Sequence, residues 1–572
     1  MKNHSVEKYK NKIIDYLIPI ILSLVIATVL IWTELTTRSG LTLDDTAFHF
    51  HRFYDTYQQI QNHNFSYFQM NYGMGESGRI VNALYGPFFA YLMGSLLLFC
   101  SSWLRFQILI TYLIFLVGGL GIYRLSRKVK ISQVVSSIVT ALFLTTGYIA
   151  YWPRSNAFNS WGAVLIPFVL IQGINLLNNH KTRFSWISLG IVMAIVAQIH
   201  LLSTFFSILA LIPFFIYGLV LSENKRQMWI DVFKAVGLFI VLTANVWGAF
   251  LLLYPTNQMA SPIDYSPVLT AVNLSVAGTS TMWTSITEVT LLLFIVQLIY
   301  VIFNFKSSKL NTFVTLEGLV FLYLSSNLFP WQFVKDTLPA VTGYLQFPNR
   351  FTVVAYPLLF LGIGLTLNEL IKSHGKKLGM IASALAVVVV LFNVRADFNE
   401  TNNMINENYH GIRDNVMEMR EKGLIPYIKK LQINTGNSPD YLPLHDNISS
   451  GDVPGKLRDI LQRKSQFRKK VLLGGHLQLT WNENETKLTT LPIFLYSQSE
   501  LKVNNKRVNP RVSEIGMPIV KAKKGENKAI LAFKTPIWFI TLFCISIITW
   551  IIILLYGGIN LFKYFKETMI SS

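Results

Sequence analysis

The sequence predicts a polytopic α-helical membrane protein with a soluble domain near its C-terminal end. First, 52% of the 572 residues are hydrophobic and the mean hydropathy is +0.42, which is too apolar for a soluble globular protein. Second, apolar runs as long as a spanning helix recur along the chain, separated by short basic clusters. Third, residues 395–533 are polar and contain no apolar run long enough to cross a bilayer.

We predict about 12 to 13 spans from apolar length and flanking charge. The first apolar run follows Lys8, Lys10 and Lys12 and lacks a small-x-small cleavage site, so we interpret it as an uncleaved span. The predicted spans are 13–32, 84–103, 106–123, 132–150, 162–178, 184–200, 202–221, 232–253, 286–304, 312–329, 351–371, 378–394 and 536–557.

Basic clusters between the spans orient the chain, because Lys and Arg are enriched in cytoplasmic loops. These clusters are Arg124/Arg127/Lys128/Lys130, Lys181/Arg183, Lys225/Arg226, Lys306/Lys309, Lys372/Lys376/Lys377 and Lys563/Lys566. The orientation places 34–83, 151–161, 254–285, 330–350 and 395–533 outside. One conflict remains, since full crossings by both 84–103 and 106–123 put the cluster at Arg124 outside. Either one of these two runs is partial or re-entrant, or that loop is an exception.

The chain therefore divides into three predicted parts. Residues 1–394 form the multi-span module, 395–533 an extracytoplasmic α+β domain, and 534–572 a final span with a short cytoplasmic tail. From about residue 471, alternating apolar residues between turn residues predict an antiparallel β module. Its strand-like runs are 471–473, 476–481, 491–496, 501–503 and 529–533, with predicted hairpin turns at Asn504-Asn505 and Lys524-Gly525-Glu526-Asn527.

The charge balance does not indicate a nucleic-acid-binding protein. The formal net charge is +20, but the basic residues lie between apolar runs and lack interleaved aromatic residues on which bases could stack. Anionic membrane lipids and the positive-inside rule explain most of them. Cys100 and Cys544 both lie in apolar segments, which excludes a disulfide framework and a cysteine metal site.

The stretch 43–52, directly after the first span, places two carboxylates, two imidazoles and a guanidinium within ten residues of a chain whose charged fraction is only 14%. In a helix, Asp45, His49 and Arg52 share one face at i, i+4 and i+7, while Asp44 lies on a second stripe with Phe48, His51 and Asp55. An alternative is that Thr42-x-x-Asp45 is a capping box and the aspartates only cap a surface helix.

Three further residues are predicted on the same external side: Arg154, His200 and Arg350. An ionisable residue at membrane depth is costly and suggests function. The alternatives are arginines that reach the headgroup boundary and a histidine bonded to a backbone carbonyl. A carboxylate can act as general base on a hydroxyl, and arginines can hold a phosphate through paired hydrogen bonds. Together these residues fit transfer of a group from a phosphorylated lipid.

Several motifs, in their order along the chain, resemble the GT-C superfamily of membrane glycosyltransferases. The closest resemblance is to the bacterial YfhO-like and 6-pyruvoyl-tetrahydropterin-synthase-related membrane proteins implicated in teichoic acid glycosylation. The matching residues are Asp45-x-x-Phe48-His49-x-x-Arg52, Tyr72-Gly73-x-Gly75, Tyr85-Gly86-Pro87, Gln198-x-His200-x-x-Ser203, Gln346-Phe347-Pro348-x-Arg350-Phe351, Asp440-Tyr441-Leu442-Pro443 and Lys524-Gly525-Glu526-Asn527.

The resemblance implies an inverting transfer from a polyprenyl-phosphate (undecaprenyl-type) sugar to a cell-surface polymer, on the outer face of a bacterial cytoplasmic membrane. It makes Asp45 or Asp44 the base, and His49, Arg52, Arg154, His200 and Arg350 the groups that bind the lipid phosphate. Because Asp44-Asp45 is not a D-x-D motif, metal dependence stays open, with Asp44, Asp45 and His49 as candidate ligands for a divalent ion.

The chain departs from the expected pattern after Arg154, where Asn156 and Asn159 stand in place of an acidic residue. A lipid or saccharide transporter is the alternative function, although the sequence lacks the matched interrupted helices of inverted-repeat transporters. A third hypothesis is a wall-binding protein, but a dozen spans far exceed what anchoring needs.

Overall fold

The structure is a computed structural model, and most of the chain is described. The described residues are 2–41, 43, 45–274, 285–306, 308–373, 376–406, 424–425, 428, 439–445, 448, 452–453 and 466–570. Asp44 and a large part of the predicted domain 395–533 therefore lie outside the described residues. The predicted domain boundaries remain predictions.

The described part of the chain is mainly helical, because long apolar runs with few prolines satisfy their backbone polar groups internally only as helices. The helices are α1 (Lys2–Leu30), α2 (Trp32–Thr37), α3 (Thr46–Gln61), α4 (Pro87–Leu97), α5 (Trp103–Lys128), α6 (Gln133–Leu144), α7 (Gly147–Ser155), α8 (Asn159–Leu177), α9 (Trp186–Ile199), α10 (Leu201–Leu221), α11 (Lys225–Leu242), α12 (Ala244–Leu253), α13 (Glu288–Asn304), α14 (Lys309–Ser325), α15 (Trp331–Thr337), α16 (Pro339–Leu345), α17 (Thr352–Ser373), α18 (Lys376–Asn406) and α19 (Ile537–Ile570). A 3-10 turn, Pro348–Phe351, leads into α17.

A multi-pass membrane protein is confirmed by the apolar helices. Within the described residues, seven helices are long and apolar enough to cross a membrane. The number rises to nine if two bent pairs, α6 with α7 at 45° and α11 with α12 at 64°, each count as one span. Every predicted span position holds a helix, but α4, α9, α13 and α14 have fewer than 18 residues and are shorter than a full crossing.

The short helix α4 resolves the conflict in the predicted topology. It has 11 residues, so it rises only about 16 Å and cannot cross a hydrocarbon core of about 30 Å. The predicted span 84–103 is therefore wrong as a crossing, and α1 and α5 are consecutive crossings. Arg127, at the end of α5, pairs at 3.1 Å with Asp15, near the start of the apolar part of α1. The basic cluster thus lies on the same side as the N-terminal lysines, as the positive-inside rule requires.

An antiparallel β module precedes the last span, as predicted. The described strands are β1 (Gln258–Met259), β2 (Pro443–Leu444), β3 (Arg468–Leu472), β4 (His476–Glu483), β5 (Lys487–Thr490), β6 (Ser499–Val503), β7 (Lys506–Val508), β8 (Arg511–Val512), β9 (Pro518–Ala522) and β10 (Gly525–Phe533). They form a five-stranded sheet in the order β3-β4-β10-β6-β7, a three-stranded sheet β5-β9-β8, and the pair β1-β2. Inward side chains of the two larger sheets, including Leu479, Leu501 and Val520, form a common core.

Two details of the β module differ from the prediction. The hairpin at Asn504-Asn505 is present, with both residues in the left-handed region that such a two-residue turn requires. The turn at 524–527, however, joins β9 and β10, which belong to different sheets. The predicted strand 491–496 is irregular. Pro492 cannot donate to a strand ladder, and the Phe494 amide donates to the Ser77 carbonyl instead.

Candidate active site

The ionisable stretch after α1 folds as the start of α3, at the end of the bundle away from the N-terminal lysines. The Thr46 hydroxyl donates to the Leu43 carbonyl at 2.6 Å, which fixes the turn into the helix. Helical spacing then brings Arg52 Nη1 within 3.0 Å of His49 Nδ1. The predicted convergence of His49 and Arg52 is present in the structure.

Arg52 is completely buried among neutral groups. Its Nε donates to Asn82 Oδ1 at 3.0 Å, and its Nη2 donates to the Tyr85 carbonyl. The guanidinium carbon also lies 4.4 Å from the centre of the Tyr85 ring and 5.2 Å from that of Phe158. Burial lowers the pKa of Arg52 to about 10, so it remains a cation at neutral pH. No carboxylate in the described residues forms an ion pair with Arg52.

The partners of His49 define its protonation. Because an arginine can only donate, His49 Nδ1 must accept, and the ring proton of the neutral form is on Nε2. The ring stacks on Phe158 with 4.0 Å between centroids. Burial, and after it the charges of Arg52 and His200, hold the pKa of His49 well below its ordinary value. His49 is therefore a neutral hydrogen-bond donor.

His200 lies at the break between α9 and α10, where it has an extended backbone. Its Nδ1 is 2.7 Å from the Ser203 hydroxyl. Gly162 on α8 lets this turn approach closely, because a Cβ there would lie 1.8 Å from Ser203 Oγ. Burial lowers the pKa of His200 to about 3, helped by the charges of Arg350 and Arg52. His200 is thus a second neutral imidazole beside two cations.

Arg350 lies in the 3-10 turn before α17 and is only partly buried. Its Nη1 donates to the Leu345 carbonyl at 2.8 Å, and its guanidinium carbon is 4.6 Å from the centre of the Phe347 ring. Its Nε has no hydrogen-bond partner within the described part of the chain. Arg350 therefore retains donors for an anionic ligand.

Asp45 is exposed at the N-terminal end of α3. Its side chain makes no capping hydrogen bond to that helix in the described structure, so the capping interpretation does not account for it. Tyr85 contacts His49, His200 and Arg52. Asp45, Arg350 and Asp440 also lie within electrostatic range of Tyr85. The role of Asp44 stays a prediction, since it is outside the described residues.

Arg154 belongs to a different cluster. Its guanidinium pairs with Asp397 Oδ1 and, at 3.3 Å, with Glu400 Oε2, both at the end of α18. It also lies 5.1 Å from the centre of the Tyr151 ring. Glu34 is close by, and burial raises the pKa of its carboxyl to about 8. The charge of Arg154 is neutralised by Asp397 and Glu400, and its side chain does not contact Arg52 or His49.

The second stripe of α3 holds the glycine-bearing loop 69–80. Asp55 Oδ1 accepts the backbone amides of Tyr72 at 2.8 Å and Gly73 at 3.0 Å. His51 Nδ1 accepts the Met74 amide at 3.3 Å. A Cβ on Gly73 would lie 2.3 Å from the His51 carbonyl, so the backbone must approach closely here. One face of α3 thus forms the charged site and the other fastens the loop beside it.

The β module binds the outer side of this loop. Lys469 Nζ donates to the carbonyls of Gly75 at 3.0 Å and Glu76 at 2.6 Å. Asn71 Nδ2 donates to the Gly475 carbonyl at 2.6 Å, and Arg79 Nη2 donates to the Asp440 carbonyl. The loop is therefore held between the helix bundle and the soluble module.

Nothing in the sequence indicated that Asn82 and Phe158 lie at the site, because neutral side chains carry no charge signal. Tyr85 and Tyr441 were part of the motifs Tyr85-Gly86-Pro87 and Asp440-Tyr441-Leu442-Pro443, but they were not predicted as site residues. Tyr441 packs with Tyr85 against Met74 and has a φ of 63°, a conformation that is costly for a tyrosine. Its carbonyl accepts the Tyr496 hydroxyl at 2.9 Å, so the β module fixes this turn at the site.

The described residues do not fit the divalent ion considered from sequence. No group of three or more His, Cys, Asp or Glu side chains in the described ranges could hold a metal. At His49, the Arg52 cation occupies Nδ1, where a second cation is repelled. The set Asp44, Asp45 and His49 stays a prediction because Asp44 is outside those ranges.

Comparison with known proteins gives only distant similarity. No protein-family model matches the chain, and no curated protein does. Among solved structures it is similar to the oligosaccharyltransferase of Archaeoglobus fulgidus. For the apo form the identity is 14% and the TM-score 0.38, with 67% of this chain and 55% of that chain covered. For its complex with zinc and sulfate the values are 14% and 0.34, with 66% and 52% covered. The chain spans about half the length of those chains, and at these TM-scores the likeness supports no argument about the site.

Proposed function

We propose that this protein is a membrane glycosyltransferase of the GT-C type. It transfers a sugar from a polyprenyl-phosphate donor to a cell-surface polymer, such as teichoic acid, on the outer face of a bacterial cytoplasmic membrane. One observation supports the proposal: Arg52 and Arg350, neither of which has a carboxylate partner in the described residues, lie with the exposed carboxylate Asp45 within electrostatic range of Tyr85.

The charges of the site favour a phosphate. A buried arginine without a counter-ion is costly, and an anionic ligand lowers that cost. His49 and His200 are neutral, so the arginines supply the positive charge. Arg350 is the partly exposed arginine and makes the direct contact with the phosphate. Arg52, completely buried beneath Tyr85, adds its field through a medium of low dielectric constant.

In the proposed reaction, Asp45 acts as the general base and Arg350 stabilises the leaving group. Asp45 takes the proton of an acceptor hydroxyl, and the oxygen forms a bond to the anomeric carbon of the donor sugar. The bond between that carbon and the phosphate oxygen breaks, and its electron pair leaves with the lipid phosphate. Arg350 stabilises the charge that develops there. Attack opposite the leaving group inverts the anomeric configuration.

The test is to replace Asp45 and Asp44 by Asn, singly, in the full-length protein. Transfer is measured from a synthetic polyprenyl-phosphate sugar in membranes, and the anomeric configuration of the product is determined by NMR. We expect Asp45→Asn to lower the rate at least about 100-fold, since positioned proton transfer contributes about 10²–10⁴. Asp264→Asn is the matched control, because Asp264 is an exposed aspartate that pairs with Lys335.

Full activity in both the Asp45 and the Asp44 variants contradicts the assignment of the base. Movement of the intact lipid-linked sugar across a reconstituted bilayer, without any sugar transfer, contradicts the enzyme and supports a transporter. Retention of the donor configuration in the product contradicts the single displacement.

A further inference from the structure

The outer face of the five-stranded sheet carries a regular array of basic side chains. Residues paired across neighbouring strands place their side chains on the same face. One row runs through all five strands as Lys470, Gln478, Ile530, Lys502 and Arg507. A second row, one step further from the membrane, contains Arg468, Thr480 and Lys528. We call these five Lys and Arg residues the basic face.

The side chains of the basic face are exposed. The alternate residues of the same strands, such as Leu479 and Ala529, point into the core between the two sheets. The face also carries two acidic residues, Glu500, which lies 3.6 Å from Arg507, and Glu526 at the far end of β10. Between 466 and 533 the module has twelve basic and five acidic residues, a formal charge of +7. A ligand of this face must therefore be anionic.

The position of the charges argues against a lipid surface as that ligand. β10 ends at Phe533 and the last helix begins at Ile537, so Lys528 lies about 17 Å along the strand from the membrane end of the sheet. On the face that carries the basic residues, the pairs nearest the membrane are Leu472 with His476 and Ala532 with Glu500, which contain no Lys or Arg. On a face adapted to lipid headgroups, the basic residues would be most frequent at the membrane boundary, around Lys534, and not farther from it.

The side chains between the charges argue against a nucleic acid. Gln478, Thr480 and Ile530 separate the basic residues, and none of them is an aromatic platform on which a base could stack. Five strands span about 19 Å, and the two rows are about 7 Å apart. The array thus fits an extended chain with repeated single negative charges and no bases.

We propose that the basic face binds a linear polymer of phosphodiester-linked polyols. The strand that carries Arg468 and Lys470 outward also carries Lys469 inward to the loop 69–80 at the active site. A polymer bound on the face is therefore held by the same strand that fastens the loop, and its repeats are kept near the site. The role of the bound polymer as the acceptor of the sugar rests on the proposed function, whereas its binding to the basic face does not.

The experiment measures binding of fluorescent poly(glycerol phosphate) to the full-length protein in neutral-lipid nanodiscs, without donor. The test variant is Arg468→Gln/Lys470→Gln/Lys528→Gln. The matched control, Lys521→Gln/Lys523→Gln/Lys524→Gln, removes the same charge from exposed positions outside the basic face. We expect the Kd to rise at least about tenfold in the test variant and less than about twofold in the control. Raising the salt from 50 to 500 mM should weaken binding to the wild type by a similar factor, because exposed charges are screened.

Equal weakening in the two triple variants overturns the proposal, since net charge alone then explains binding. Tighter binding to phosphatidylglycerol vesicles, or to single-stranded DNA, than to the polymer also overturns it. The outcome is separable from that of the proposed function. Polymer binding without any sugar transfer contradicts only the enzyme, and normal transfer with no effect of the test variant on binding contradicts only the basic face.

Discussion

Two completely buried arginines lie at the same end of the helix bundle but in opposite surroundings. Arg154 contacts two carboxylates, Asp397 and Glu400, and has Glu34 nearby. Arg52 contacts an imidazole, an amide and a backbone carbonyl. Position and residue type alone therefore do not separate a structural arginine from one that serves a ligand; the charge of the partners does.

This difference in surroundings predicts whether replacing each arginine changes mainly the stability or mainly the activity of the protein. Removing Arg154 leaves buried carboxylates without compensation and acts on stability. Removing Arg52 takes away a charge that no described carboxylate balances, so it acts mainly on binding of an anion and on catalysis.

The largest expected effect is the loss of stability in Arg154→Gln. Breaking a buried ion pair by removing one partner costs about 3–5 kcal/mol, so Tm in detergent should fall markedly. The double variant Arg154→Gln/Asp397→Asn removes one stranded charge and should recover part of the loss. An unchanged Tm in the single variant contradicts the structural role of Arg154.

Arg52→Gln should lower transfer by about 10²–10³-fold, the usual effect of removing one group that stabilises developing negative charge. Its Tm should fall less than that of Arg154→Gln, because no described carboxylate loses its counter-ion. Arg52→Lys keeps the charge and should retain more activity than Arg52→Gln. If the activity of Arg52→Gln falls only in proportion to the amount of folded protein, the proposed difference in role between Arg52 and Arg154 is contradicted.

Arg350→Gln should weaken binding of a polyprenyl phosphate without sugar by about 10- to 100-fold, since a hydrogen bond to a charged group contributes about 1.5–3 kcal/mol. Binding can be followed by tryptophan fluorescence in detergent. The exposed Arg38 gives the matched control Arg38→Gln. Equal affinities in the two variants contradict a direct contact of Arg350 with phosphate.

The last expected effect is a pH dependence of stability that belongs to the Arg154 cluster. Burial raises the pKa of Glu34 to about 8 in the folded protein, against about 4.5 in an unfolded chain. The folded state then holds a proton that the unfolded state has lost, so this contribution to stability disappears as the pH rises through 8. Tm of the wild type should decline between pH 5 and 9, and the decline should be smaller in Glu34→Gln.

The sequence was sufficient for the helices, the β module and the pairing of His49 with Arg52, because each depends on residues close together in the chain. It was not sufficient for α4, where a continuous apolar run hides the turn at 98–102 that ends one helix before the next begins. The partners of Arg154 could not be predicted from the sequence either. Asp397 and Glu400 lie 243 and 246 positions away, on an extension of α18 beyond its apolar part.

The contact of Lys469 with the loop has a consequence for how this protein tolerates change. Its ammonium group contacts main-chain carbonyls at Gly75 and Glu76, so it recognises the path of the backbone. Deleting a single residue from the loop moves both carbonyls and uncouples the soluble module from the membrane bundle, which makes the length of the loop a constraint on this connection.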